Sequence, residues 1–135
     1  DFGVGCKYFS QDAVIKLAPW AGIEIPEDLS LAQKLKFVQG LMEEDDERAI
    51  AIFETIGAYL AYTTVLYAQF YDLDYMMLLG RVMSGKGGDT ILRVCNEILS
   101  DEYPELAAKC NVTLPDEKMR RVGQSVAAAS LPEVK

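Results

Sequence analysis

The sequence predicts a helix-dominated α/β fold with a small parallel strand pair. Apolar side chains recur at helical spacing through most of the chain, as they do over 31–42 and 47–71. An apolar run over 75–79 shows no polar alternation, which predicts a strand covered on both faces, as in parallel sheets. A second strand is predicted over 111–114. Because helices fill the interval between these strands, a right-handed βαβ crossover is expected.

Capping residues in the sequence indicate where the predicted helices begin. Ser10 predicts the start of a first helix that runs to about residue 19. Ser30 and Gln33 have the spacing of a capping box for a second helix over 31–42. The third helix, over 47–71, is apolar on nearly all sides, so burial on most sides is expected. Further helices are predicted over 90–99, over about 104–110 with Pro104 in the first turn, and over 117–131.

Two features border or interrupt the third helix. Gly57 lies in its middle, where glycine costs up to about 1 kcal/mol relative to alanine. A close crossing with another helix explains this glycine better than close approach to a ligand. An acidic run over 43–47 precedes the helix. We interpret it as a solvated turn that places carboxylates at the positive end of the next helix, rather than as a cation site.

Length and composition indicate a single domain or subdomain over 1–135. Half of the 135 residues are hydrophobic, a quarter are charged, and the net charge is −8. This charge, with no basic stripe, argues against a nucleic-acid partner. The chain has no histidine, which excludes histidine acid/base catalysis and most zinc ligand sets. Because the sequence begins at Asp1 without Met, we expect a fragment or a processed chain.

Cysteine usage and hydropathy indicate a cytoplasmic protein. Three cysteines without a CxxC spacing predict reduced, mostly buried thiols and no metal site. The stretch 49–71 is apolar enough to raise the question of a membrane span. Glu54 and Gln69 lie inside it, Gly57 interrupts it, and both flanks are acidic. A central helix of a soluble core fits these features better, so no membrane contact is expected.

The segment over 75–89, YMMLLGRVMSGKGGD, is the strongest candidate for a binding function. Its apolar run ends at Gly80, and more glycines follow before a helical pattern opens at Thr90. A strand, a glycine-rich turn and a helix N-terminus let backbone N–H groups approach a nucleotide. The spacing is not that of a Walker A loop, and the alternative is a surface turn. We predict that the amides of 84–90 are uncovered at a cleft rim, and that Gly88→Val removes nucleotide contact while helical content stays nearly unchanged.

Four segments in this order resemble the carboxy-terminal part of the ROK family, which comprises repressors, open reading frames and sugar kinases. The family belongs to the actin-like ATPase, sugar kinase and chaperone fold. The first two matching segments are 46–60, which opens with Asp46-Glu47-Arg48-Ala49, and 72–80, which opens with Asp72-Leu73-Asp74. The other two are 84–89 and 121–129. The resemblance covers most of the chain from about Ser10. It implies a carboxy-terminal actin-like ATPase subdomain, which is a fragment of a larger two-lobed protein.

The resemblance implies that this chain forms the adenosine-side wall of an ATP-binding cleft. Gly80 matches the first glycine of the family's adenosine motif, and Gly87 and Gly88 resemble the turn that lies against adenine or ribose. Asp89 resembles a helix cap that also meets a ribose hydroxyl. Arg81 stands where many members have another glycine, and it either stacks on adenine or forms an outward salt bridge. The implied nucleotide-contacting residues are Gly80, Arg81, Ser84, Gly85, Gly87, Gly88 and Asp89.

The reaction implied for the full-length protein is ATP-dependent phosphoryl transfer to a sugar, with Mg as the accompanying ion. The phosphate loop and the catalytic Asp of the family are not found here, so this chain alone is not expected to catalyse. Two alternatives stay open. One is a non-catalytic, sugar-responsive transcriptional regulator, which Arg81 and Val82 in the adenosine loop favour. The other is a helical self-association module that forms a homo-oligomer, such as a dimer, through an exposed sheet edge.

Overall fold

The computed structural model of the chain describes residues 4–115. These residues form a helix-dominated fold with a two-stranded parallel sheet, as predicted. The predicted helix over 117–131 and the matching segment over 121–129 lie outside the described residues. The elements in chain order are α1 (Cys6–Phe9), α2 (Gln11–Leu17), α3 (Leu31–Glu43), α4 (Glu47–Ala68), β1 (Tyr75–Met77), a 3₁₀ turn (Arg81–Met83), α5 (Gly85–Glu102), α6 (Pro104–Lys109) and β2 (Asn111–Thr113).

Side-chain caps begin α2, α3 and α4. The sequence predicts the caps at Ser10 and Ser30, and for α4 it predicts carboxylates of the acidic run at the helix start. Ser10 Oγ accepts a hydrogen bond from the second backbone amide of α2. Ser30 and Gln33 form both halves of a capping box at α3. Asp46 Oδ1 accepts from the Arg48 amide at 2.9 Å, so the acidic run does supply a carboxylate to the next helix. Hydrogen bonds from Arg48 lower the pKa of Asp46 to about 2.

Helix α4 is the centre of the core, but only one of its faces is buried. Phe53 is fully buried, and a side chain of this size stabilises the fold by about 1.5–3 kcal/mol. The expectation of burial on most sides is wrong, because Tyr59 and Tyr62 are exposed. Their phenol groups explain this, since the Tyr62 hydroxyl donates to the Glu102 carboxylate at 3.0 Å instead of entering the core. The buried residues of α4 are Ala49, Ile52, Phe53, Ile56, Gly57, Leu60, Ala61 and Thr64.

Within the described part of the chain, α4 is also long and apolar enough to cross a membrane by length and composition alone. Central helices of soluble proteins share this property. The protein itself buries 44% of the apolar window of α4. A cytoplasmic location without membrane contact therefore stays a prediction.

Helices α4 and α5 cross closely at Gly57. A Cβ at this position would lie 2.9 Å from the Ile91 carbonyl oxygen and 2.9 Å from Val94 Cβ. Both distances are shorter than real Cβ contacts, so only glycine allows the two backbones to approach this far. The close helix crossing predicted from the sequence is therefore confirmed.

The two strands pair in parallel, and α5 and α6 form the connection between them. Tyr75 lies opposite Asn111, and Met77 lies opposite Thr113. One further bond, from the Leu78 amide to the Thr113 carbonyl at 2.9 Å, ends the ladder. The strands are therefore shorter than the predicted ranges 75–79 and 111–114, while the predicted parallel pairing through helices is confirmed.

The prediction that the strand is covered on both faces is wrong within residues 4–115. Met76 and Leu78 face inward, and Thr64 Oγ1 of α4 contacts Met76 Sδ at 3.3 Å. The alternate side chains point away from α4 and are exposed by 56 to 77%. Among the described residues, this face of β1 is therefore largely open to solvent. We call this set the exposed strand row, which consists of Tyr75, Met77 and Leu79.

Helix α5 begins at Gly85, five residues before the predicted start at Thr90, and ends at Glu102 instead of 99. The sequence suggests a loop here because glycine disfavours helix interiors. Tertiary packing overrides that preference, since Gly87 and Gly88 are buried inside the first turns of α5. Helix α4, by contrast, ends at Ala68, three residues before the predicted end at 71.

The crossing at Gly57 predicts opposite outcomes for two glycine-to-alanine variants. Gly57→Ala gains helix propensity but introduces contacts at 2.9 Å, so we expect a net loss of about 1–3 kcal/mol in the free energy of unfolding. Gly40→Ala in α3 is the matched control, because no described heavy atom lies within 4 Å of a Cβ there. It should gain roughly 0.5–1 kcal/mol. Urea unfolding measures both, and equal stabilisation by the two variants would contradict a close crossing.

Candidate functional site

The chain turns sharply at Gly80, just after β1. Gly80 has φ +122°, a backbone conformation that residues with a Cβ rarely adopt. No atom of the described residues lies within 4 Å of a Cβ placed there, so its backbone is open on that side. The Gly80 carbonyl accepts from the Met83 amide at 3.1 Å and opens the 3₁₀ turn. Glycine is thus required here by the turn and not by crowding.

Gly80 and Arg81 line a groove of about 400 Å³ between the end of β1 and the start of α2. This volume lies within the range of small-molecule sites. The groove lies at the carboxyl end of a parallel strand, where open α/β sheets bind their ligands. We call it the β1 groove, and its lining residues are Ser10, Gln11, Asp12, Leu79, Gly80, Arg81 and Val82.

The charges around the β1 groove are of both signs. Asp12 forms an ion pair with Lys7, and this hydrogen bond raises the pKa of the Lys7 ammonium. Arg81 is exposed, so its guanidinium is accessible from solvent. The outward salt bridge considered for Arg81 is not among the ion pairs of the described residues. Asp12 is thus paired with a lysine, and Arg81 adds a positive charge to the groove.

A carboxylate from α3 lies at the N-terminus of α5. Ser84 is the N-cap residue, but its hydroxyl makes no capping bond within the described residues. Glu43 Oε1 accepts instead from the Lys86 amide at 3.2 Å. Gly85 adopts φ +66°, and a Cβ there would lie 2.7 Å from the same Glu43 oxygen. The protein's own carboxylate therefore stabilises the positive end of α5, a place suited to an anion.

Lys86 points toward the turn between α3 and α4. Its Nζ donates to the Glu43 carbonyl at 3.0 Å and to Asp45 Oδ1 at 2.9 Å. The hydrogen bond to Asp45 raises the pKa of Lys86. This side chain therefore ties the start of α5 to the acidic run. Lys86 is not among the residues that line the β1 groove.

Gly87 and Gly88 are buried, and packing within the protein explains both. A Cβ on Gly87 would lie 2.6 Å from the Phe53 ring, and one on Gly88 would lie 2.1 Å from the Met83 carbonyl oxygen. The prediction of an uncovered turn over 84–90 is therefore wrong at these two positions. A valine at position 88 would overlap the backbone of Met83, so we now expect Gly88→Val to disturb the start of α5 instead of leaving helical content nearly unchanged.

The remaining residues of the predicted nucleotide site do not converge on one place. Ser84 and Gly85 are exposed beside Glu43, whereas Gly80 and Arg81 line the β1 groove. Asp89 is exposed in the fifth position of α5, so it is not the helix cap that the resemblance implies. Contact with a nucleotide stays a prediction for all seven residues.

Gln39 is a residue of this region that the sequence does not single out. Its Nε2 donates to the Arg81 carbonyl at 3.0 Å and to the Ser84 carbonyl at 3.4 Å. Gln39 and Glu43 are four residues apart on α3, which places both on the same helix face. That spacing is visible in the sequence, but the 3₁₀ turn that this face contacts is not.

The described residues contain no group of three His, Cys, Asp or Glu side chains that could hold a metal ion. Two of the three thiols, Cys95 and Cys110, are buried, and Cys6 is exposed. Burial raises the pKa of Cys95 to about 12, with a smaller contribution from nearby Cys110. Cys95 is therefore a protonated thiol near neutral pH.

Comparisons of the chain with models of protein families, with curated proteins and with solved structures find no match.

Removal of the Glu43 carboxylate should loosen the start of α5. We expect Glu43→Ala to accelerate hydrogen exchange of the Lys86 amide by roughly fivefold, the usual size of a lost helix cap. Glu44→Ala is the matched control, because it removes the neighbouring exposed carboxylate with the same charge. Amide exchange followed by NMR measures both. Unchanged exchange in Glu43→Ala would show that this carboxylate does not cap α5 in solution.

Proposed function

We propose that the β1 groove binds the adenosine part of ATP and forms one wall of a nucleotide cleft in a ROK-type, sugar kinase-like protein. One observation carries this proposal. The open backbone of Gly80 and the exposed Arg81 side chain line a groove of about 400 Å³ at the carboxyl end of a parallel strand. The reason for choosing ATP as the ligand is the resemblance of four segments, in their order, to the ROK family.

The chemistry of the lining suits a nucleoside. The bare backbone at Gly80 allows a flat ring system to approach without meeting a side chain. The Arg81 guanidinium can stack on a base, an interaction that is worth about 0.5–1 kcal/mol at an exposed site. Ser10 and Gln11 on the opposite wall offer hydrogen-bonding partners for ribose hydroxyls.

The charges near α5 argue against phosphate binding at this helix. The Lys86 amide already donates to Glu43, and Asp45 lies next to the Lys86 ammonium. Carboxylates at this position repel phosphate groups. We therefore assign only the adenosine to this chain, and the phosphates and Mg to other parts of the full-length protein. Phosphoryl transfer to a sugar is the reaction proposed for that protein, and the regulator alternative keeps the same groove without the chemistry.

A titration with two ligands tests this proposal. We expect ATP and adenosine at millimolar concentration to shift the amide signals of 10–12 and 79–82, with similar affinity because the contacts are to the nucleoside. Arg81→Ala should weaken binding about two- to fivefold, the loss expected for one exposed stacking contact. Arg93→Ala is the matched control, because it removes the same charge from a side chain that pairs with Glu54 and Glu97.

Two outcomes of this titration would overturn the proposal. Absence of shifts at these residues with millimolar ATP would rule out the β1 groove as a nucleoside site. Equal weakening by Arg81→Ala and Arg93→Ala would show a general effect of charge instead of a contact with the base.

Self-association is a second candidate function, and the exposed strand row favours it. Tyr75, Met77 and Leu79 present apolar side chains on one face of the sheet. Within the described residues, each strand also pairs on one side only, which leaves edges that a second copy can extend. In this alternative, the exposed strand rows of two copies of the chain pack against each other.

Sedimentation equilibrium tests the second candidate. If the exposed strand row joins two copies, the chain should sediment as a dimer at micromolar concentration, and Met77→Lys should return it to a monomer. Phe37→Lys is the matched control, because Phe37 is an exposed apolar residue on α3, away from the row. A monomeric wild-type chain, or equal effects of the two substitutions, would exclude this interface.

A further inference from the structure

A single side-chain amide closes the 3₁₀ turn that follows Gly80. Gln39 Nε2 donates to the Arg81 carbonyl at 3.0 Å and to the Ser84 carbonyl at 3.4 Å. These two carbonyls stand at the start of the turn and just after its end. The primary amide has two N–H groups, so one side chain can serve both acceptors. Gln39 thus bridges the turn from outside.

The internal bonds of the turn are weaker than those of an α-helix. The Met83 amide donates to Gly80 at 3.1 Å, and the Ser84 amide donates to Arg81 at 3.3 Å. The second distance lies just beyond the usual range, and hydrogen-bond geometry in a 3₁₀ turn is generally poorer than in an α-helix. The external bond from Gln39 is therefore a substantial part of what holds Arg81 in place.

The other side of the turn is held by burial. Val82 and Met83 are both buried in the core. The turn is therefore packed on its apolar side and hydrogen-bonded by Gln39 on its polar side. Loss of the amide should leave the packed side intact, so the protein should stay folded while the backbone of Arg81 gains freedom.

We propose that Gln39 is a positioning residue for the β1 groove. By holding the Arg81 carbonyl, it fixes the backbone from which the Arg81 side chain reaches a base, although Gln39 itself does not line the groove. This inference rests on the proposed function, because it assumes that a nucleoside occupies the groove. The positioning role requires a hydrogen-bond donor in the side chain of residue 39. Glutamine provides this donor, and a glutamate of the same size does not.

The experiment uses adenosine, because an uncharged ligand does not respond to the charge of the substituted side chain through phosphates. Gln39→Glu replaces the donor by acceptors that face two carbonyl oxygens, and we expect adenosine affinity to fall about three- to fivefold, which is within the loss expected for Arg81→Ala. Gln39→Lys restores a donor on a longer side chain and should keep affinity within twofold of the wild type. Gln69→Glu is the control of matched size and charge, at an exposed position after α4. Its affinity should not change.

Two readouts separate a positioning role from a structural one. Thermal unfolding and helical content should be the same in Gln39→Glu and Gln69→Glu, while the amide signals of Arg81 and Ser84 move only in Gln39→Glu. If the wild type binds adenosine and Gln39→Glu binds it equally well, the positioning role is wrong. If the wild type itself shows no binding in the β1 groove, the proposed function fails first.

Discussion

The close approach of α4 and α5 is the constraint on which the rest of the structure depends. At Gly57 the backbone of α4 lies directly against the Ile91 carbonyl and the Val94 side chain of α5, and the Phe53 ring packs against the backbone of Gly87 in the first turns of α5. The carbonyl of Met83 then lies against Gly88. These contacts fix where α5 begins, how the 3₁₀ turn joins it, and therefore which way the backbone at Gly80 faces.

Local rules predict much of this fold because the information they use lies within a few residues. Ser10, Ser30 and Asp46 each cap a helix through a backbone amide two or three positions away. The start of α5 does not follow from local rules. Glycines at 87 and 88 are typical of a loop. Their place in a helix is explained by packing, because the distant Phe53 ring lies against Gly87 and the Met83 carbonyl lies against Gly88.

Part of the candidate site can likewise be predicted from the sequence, and part of it cannot. Gly80 can be predicted because an apolar run ends at a glycine, and the structure does place it in an open turn with positive φ. The partners of that turn cannot be predicted, because Gln39 lies 42 residues from Arg81 in sequence. The glycines after the turn show why the role of a glycine cannot be predicted from the sequence alone. A missing Cβ makes room for another part of the protein as readily as for a ligand. At Gly87 it makes room for the Phe53 ring of α4, and at Gly88 for the Met83 carbonyl.

Because one of the three thiols is exposed and two are buried, the chain can be labelled with a reporter group at a single cysteine. Cys6 is exposed in α1, next to Lys7, whose ammonium pairs with Asp12 on the wall of the β1 groove. Cys95 and Cys110 are buried, and burial raises the pKa of both thiols, which keeps them unreactive toward maleimides near neutral pH. A fluorophore can therefore be attached to Cys6 without engineering, at a site one ion pair away from the groove wall.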